Sequence, residues 1–131
     1  MRRLTAAVVI AVSCVVCVAL ALSARPCRAG EPAERGTLDK LLRAVEANDY
    51  DSFVADGTDV FKASMTKPIL EGVSDQLSPR LKQGYACAFL GELKQQGYRV
   101  LLWKIAYKNG GDDTLAKLVL SDGKVAGFRL Q

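Results

Sequence analysis

Histidine is missing from all 131 residues. Its absence removes the commonest general acid or base, any His-dependent triad and the commonest metal ligand. A cationic surplus is missing as well, once the chain is divided. Four of the 18 Lys and Arg residues lie in the first 29 positions, which hold no acid, so the rest of the chain sets 14 cations against 14 Asp and Glu. A nucleic-acid binder needs that surplus to displace counterions, so no nucleic-acid partner is expected. Cysteine is sparse: Cys14, Cys17 and Cys27 belong to the leading segment, and Cys87 stands alone beyond it. The Cys-x-x-Cys spacing of Cys14 and Cys17 lies in an apolar run, without the electropositive setting that yields a thiolate.

What is present begins with a leader. Met1-Arg2-Arg3 precedes an apolar run from Leu4 to Ala24, the charged and hydrophobic regions of an exported protein. Small residues bracket two cleavage positions, Ser23-Ala24 before Arg25 and Cys27-Arg28-Ala29 before Gly30, and the second is favoured. As a helix, the run at ~1.5 Å per residue would cover about 30 Å, enough to span a bilayer. The expectation is therefore an exported protein, periplasmic or extracellular, with a membrane anchor at residues 4–24 as the alternative. Membrane contact is expected only through this leader. Cutting after Ala29 leaves Cys87 alone, whereas cutting after Ala24 leaves Cys27 as a potential partner.

The organisation expected is a signal peptide or membrane anchor at 1–29, a flexible lead-in at 30–36, and one α+β domain at 37–131. Thr37 suits a helix N-cap, and Leu38, Leu41, Leu42 and Val45 follow at one-sided helical spacing, ending near Asn48. Asp49 can cap a short turn of Tyr50, Phe53 and Val54 that Gly57 stops, and Asp59 can start another with Val60 and Phe61. Thr66-Lys67-Pro68 opens a longer helix with Ile69, Leu70, Val73 and Leu77 on one side, interrupted or restarted at Ser78-Pro79 and closed by Gly84.

From Tyr85 the period becomes two. Turn signals at Gln95-Gln96-Gly97, Asn109-Gly110-Gly111-Asp112 and Asp122-Gly123 predict four antiparallel strands at 85–94, 98–108, 113–121 and 124–131. Those loop lengths set Phe89 opposite Trp103, Trp103 opposite Leu118, and Leu118 opposite Gly127. One face then gathers Tyr85, Cys87, Phe89, Leu101, Trp103, Ile105, Tyr107, Ala116, Leu118, Leu120 and Val125, interrupted by Arg99 and Arg129. Helices are expected to cover it, since leaving it wet forfeits roughly 25 cal/mol per Å² of apolar area. The second face presents Ala86, Ala88, Leu90, Val100, Leu102, Ala106, Leu115, Val119, Ala126, Phe128 and Leu130, too apolar for an ordinary solvent face. In the same register Lys104 lies directly across from Lys117, with Glu92 and Lys94 toward one edge.

The strings Asn-Asp-Tyr-Asp-Ser-Phe-Val at 48–54, Gly-Glu-Leu-Lys-Gln-Gln-Gly-Tyr at 91–98, Leu-Trp-Lys at 102–104, Gly-Gly-Asp-Asp at 110–113 and Asp-Gly-Lys-Val-Ala-Gly-Phe at 122–128 carry a resemblance. From about Thr37 to Gln131 the chain resembles small exported bacterial members of the nuclear-transport-factor-2-like, cystatin-like α+β superfamily. That resemblance implies N-terminal helices on one face of a curved four-stranded antiparallel meander. It leaves activity open, since such folds host isomerases, dehydratases, cyclases and non-catalytic binding modules. Catalytic members place an Asp, often with His or Tyr, inside the cone of sheet and helices; this chain has no His.

Three functional readings follow. The first is a non-enzymatic exported domain that self-associates, as a homodimer, or binds an exported protein partner through the second face, with Leu102, Leu115, Val119 and Phe128 at its centre and Lys104 and Lys117 meeting an anion or acids. The second is a small-molecule binder or minor hydrolase or isomerase using a cavity beside Tyr85, Trp103 and Tyr107. The third is a membrane-tethered domain. No catalytic residue, metal or cofactor is assigned: Asp112 and Asp113 fit loop chemistry rather than the EF-hand pattern, and Cys87 has no base to make its thiolate.

Overall fold

The computed structural model describes residues 32–131, so the expectations for the leader lie outside the described residues. Helix α1 spans Arg35–Ala47, and its apolar stripe buries Leu38, Leu41, Leu42 and Val45 as the spacing predicts. It begins before Thr37: Glu34 takes the N-cap position without a side-chain cap bond, its carboxylate being drawn instead to Arg99. Asn48 ends the helix in the left-handed conformation, its N–H donating back to Ala44 and Val45 carbonyls. Helix α2, Tyr50–Val54, is capped by Asp49, which accepts from the Ser52 backbone and hydroxyl. Those bonds favour the carboxylate and hold the Asp49 carboxyl below its ordinary range.

Helix α3 spans Asp59–Ser64, starting at Asp59 as expected, and its N-cap is Thr58, whose hydroxyl accepts from the Phe61 N–H. Helix α4, Lys67–Lys82, runs through Pro79 without the expected interruption. Proline removes one backbone hydrogen bond, but the Ser78 hydroxyl donates to the Glu46 carbonyl at 2.7 Å, tying α4 to α1, and Leu81 is buried one turn on. Those gains keep the helix whole. Ile69, expected on the apolar side, is largely exposed.

Four strands follow: β1 Tyr85–Gln95, β2 Tyr98–Tyr107, β3 Thr114–Ser121 and β4 Lys124–Leu130, in sheet order β1-β2-β3-β4 and antiparallel throughout. The architecture is α+β, as expected. The β1–β2 turn is Gln96-Gly97, two residues rather than three, and like Asp122-Gly123 it has positive φ at both positions, the geometry that suits strand twist.

Trp103 does face the helical layer, and Phe89 does pair with it. Every residue predicted for the covered face belongs to the core or packs against it. Three parts of the register differ. The β2–β3 connection is wider than predicted, since β2 ends at Tyr107 and β3 begins at Thr114, and the pairing slides by two, setting Ile105 opposite Thr114, Trp103 opposite Ala116 and Leu101 opposite Leu118. Arg80 donates to the Asp112 carbonyl, and the Tyr107 hydroxyl donates to Thr114 Oγ1, which fixes the wider loop. Because a shift of two preserves side-chain direction, the faces survive, but Lys104 now pairs with Leu115 and Lys117 with Leu102. The predicted direct Lys104–Lys117 pair is corrected to a diagonal one.

The other two differences are bulges, which shift register by one and exchange faces beyond them. In β1 the bulge at Leu90 turns Leu93 to the outer side opposite Val100, and Glu92 to the side of Leu101. In β4 the bulge at Ala126 places Phe128 opposite Leu118 and Arg129 opposite Lys117. Phe128 and Leu130, expected outside, pack against the core, with the Phe128 ring 5.9 Å from Phe53. The loop before α3 fixes this second bulge: Val125 donates to the Asp56 carbonyl and accepts from the Thr58 N–H.

Candidate functional site

The two candidate sites lie on opposite sides of the sheet. On the inner side Trp103 is fully buried, its ring 5.4 Å from Phe89. Tyr107 donates its hydroxyl to Thr114 and carries the Arg80 guanidinium 3.8 Å above its ring, a cation–π contact. Tyr85 is half-buried on the same face, and burial raises its hydroxyl pKa above the ordinary value. The Trp103 Nε1–H is buried with no acceptor among the described residues, which costs about 1–3 kcal/mol for an unsatisfied donor. Cys87 is half-buried and packs against this core.

At the open end of the inner face an ionic cluster replaces the apolar residues. Arg99 donates Nε and Nη2 to the two Glu92 oxygens at 2.8 and 3.0 Å, and Nη1 to Glu34. The guanidinium beside it holds the Glu92 carboxyl below its ordinary range, and both acids push Arg99 further up. Arg99 thus interrupts the apolar face where helix α1 begins, and it clamps that helix to the sheet.

The outer side is built differently. Leu102, Leu115 and Val119 project from β2 and β3, and none belongs to the core that the helices form. Val100 is only 2% exposed there, between Leu93 on β1 and Val119 on β3. Leu93 and Tyr98, at 47% and 41% exposure, extend the patch. Two shallow hollows share Tyr98 and Val119. One of about 490 Å³ adds Gln95, Gln96, Val100 and Lys117; the other, about 390 Å³, adds Thr58, Val60, Ser121, Ala126 and Gly127.

The charged strand residues on this side are all cations. Lys117 stands directly opposite Arg129, Lys104 lies diagonally from Lys117, and Lys124 pairs with Ser121 near the turn. Lys104 approaches one acid, Asp113, at 3.9 Å with both half exposed, an interaction worth little. Neither Lys117 nor Arg129 has an acidic partner among the described residues. Like charges directly opposite are destabilising on the scale of cross-strand pairs, about 0.2–1 kcal/mol.

Of the residues read from the sequence as a partner surface, the structure therefore brings together Leu102, Leu115, Val119, Lys104 and Lys117, and removes Phe128. It adds Leu93, Tyr98, Val60 and Arg129. A signal for the last was present: Arg129 inward beside Phe128 outward is a paired mismatch, and a one-residue slip cures both. Among the described residues no group of three Cys, Asp or Glu is arranged to hold a metal ion, and no helix is long and apolar enough to cross a membrane.

No family model matches the chain, and no curated protein matches it. Among solved structures it is similar to an uncharacterized cystatin-fold protein from Novosphingobium aromaticivorans, at 15% identity and TM-score 0.38, over 73% of this chain and 95% of that one. It is also similar to an NTF2-like protein of unknown function from Cytophaga hutchinsonii, at 10% identity and TM-score 0.36, over 77% of this chain and 90% of that one.

Proposed function

We propose that this chain is a non-enzymatic binding domain whose outer sheet face takes an apolar, acidic surface of another protein. The observation that carries the reading is the make-up of that face: Leu102, Leu115 and Val119 lie outside the helix-covered core, and the charged strand residues around them are cations, of which Lys117 and Arg129 have no acidic partner among the described residues. Leu102, Leu115 and Val119 are part-exposed and Leu93 and Tyr98 exposed, and apolar surface left open in this way marks interaction sites. A second copy would set lysines against lysines, whereas an acidic partner relieves the Lys117–Arg129 repulsion on contact. The leader's composition supports an exported setting for this role.

The test is a photoreactive benzoylphenylalanine in place of Leu102 in the full chain, irradiated in the producing cell. The expected product is an adduct with one other protein, absent when Lys117→Glu is added. An adduct at twice the chain's own mass, or the same adduct from a probe at exposed Ala63, overturns the reading.

One observation supports a second reading, a small-molecule site on the inner side: the unpaired Trp103 Nε1–H. It predicts a ligand-dependent change in the emission of the single tryptophan, and a compound screen without such a change removes it.

A further inference from the structure

The hollow beside Gly127 and the cation pair beside it stand in a fixed relation set by the strands. Val119 on β3 faces Gly127 on β4, and Lys117 faces Arg129, each pair on the outer side. Two residues along a strand separate them, about 7 Å at ~3.4 Å per residue. The hollow is walled by Tyr98, Val119 and Val60, the last 77% exposed at the start of α3. Its floor is open because Gly127 carries no side chain. Backbone conformation does not demand that glycine: its φ lies outside the left-handed region, and an added Cβ would meet Val119 at 3.5 Å, an ordinary contact.

Resting on the binding reading above, the geometry points to a two-part recognition site for a protein segment that carries a bulky apolar side chain and a carboxylate about 7 Å apart. The apolar side chain enters the hollow between Tyr98 and Val60. The carboxylate lies between Lys117 and Arg129, where it replaces the repulsion of two cations with two charge-assisted contacts. That separation corresponds to positions i and i+2 of an extended segment or i and i+4 of a helix. Lys124, opposite Ser121 at the other end of the hollow, has a similar spacing but no second cation across from it, and Lys104 lies opposite Leu115, away from the hollow.

The experiment selects random displayed peptides on the full chain and measures the enriched ones against variants. Enriched peptides are expected to share an Asp or Glu two or four positions from Phe, Trp, Leu or Met. Gly127→Leu, which fills the hollow, and Lys117→Glu are each expected to weaken binding at least about tenfold, as expected for a contact central to an interface. Val60→Asp removes a highly exposed wall and supplies the same test should Gly127→Leu not fold. Peptides that lose binding on Leu102→Asp but lack the acid and spacing, or ignore both Gly127→Leu and Val60→Asp, overturn the two-part site while leaving the binding face standing. No enriched peptide sensitive to Leu102→Asp overturns both. Competition of the peptides by phosphatidylglycerol vesicles, with no common peptide pattern, assigns the cations to an anionic membrane surface and also overturns it.

Discussion

The inner and outer faces of one four-stranded sheet are both apolar, yet they are finished differently. Inside, apolar residues meet helices, and the stray charge at the open end, Arg99, is matched by Glu92 and Glu34. Outside, apolar residues lie apart from the helix-covered core, and Lys117 and Arg129 have no acidic partner among the described residues. A fold that pairs its charges on one side and leaves a cation row on the other shows which side its own stability uses. The unmatched side is the one proposed above for a partner.

The contrast breaks most visibly in the core. Trp103→Ala should cost about 3–5 kcal/mol in denaturant unfolding, whereas Leu115→Ala, one position along the ladder on the other side, should cost about 1 kcal/mol or less. Equal losses would mean that both faces are core. Phe128→Asp places a charge against Phe53 and Leu118 and should lower stability by about 2–4 kcal/mol; a fully stable variant would return Phe128 to the outer face. Arg129→Glu should act in the other direction, raising stability by about 0.2–1 kcal/mol as it turns a repulsive pair with Lys117 into an attractive one.

The smallest effect concerns the ionic cluster at the open end. Glu92 has a folded pKa below its unfolded value, so its contribution is present above the ordinary glutamate range of about 4.3 and is lost as pH falls through the folded value. Acid titration of the melting temperature should therefore show a decline below about pH 4 that Arg99→Leu reduces. An unchanged acid limb would separate Arg99 from the stability of the fold.

Much of this was legible in sequence because burial writes a period. The one-sided spacing of Leu38, Leu41, Leu42 and Val45 gave α1, and the alternation from Tyr85 onward gave four strands and the inward Trp103. The turns at Gly97 and Gly123 were visible through their glycines, although the first holds two residues, Gln96-Gly97, where three were expected. The bulges at Leu90 and Ala126 were not, because an added residue on one strand leaves local alternation intact on either side of it. The bulge at Ala126 depends on the Val125 N–H donating to the Asp56 carbonyl and the Thr58 N–H donating to the Val125 carbonyl, residues some seventy positions earlier that no window contains. For the same reason the make-up of the outer face was half legible: Leu102, Leu115, Val119, Lys104 and Lys117 were placed on it from sequence, and Arg129 was assigned to the wrong face.

The most direct measurement is the thermal melt of the full chain carrying Leu102→Asp, followed by far-ultraviolet circular dichroism. An outer face that folding leaves idle predicts a cooperative transition within about 4–8 °C of the parent chain. Loss of the cooperative transition would show that Leu102 is covered in the folded molecule and that the proposed docking face does not exist.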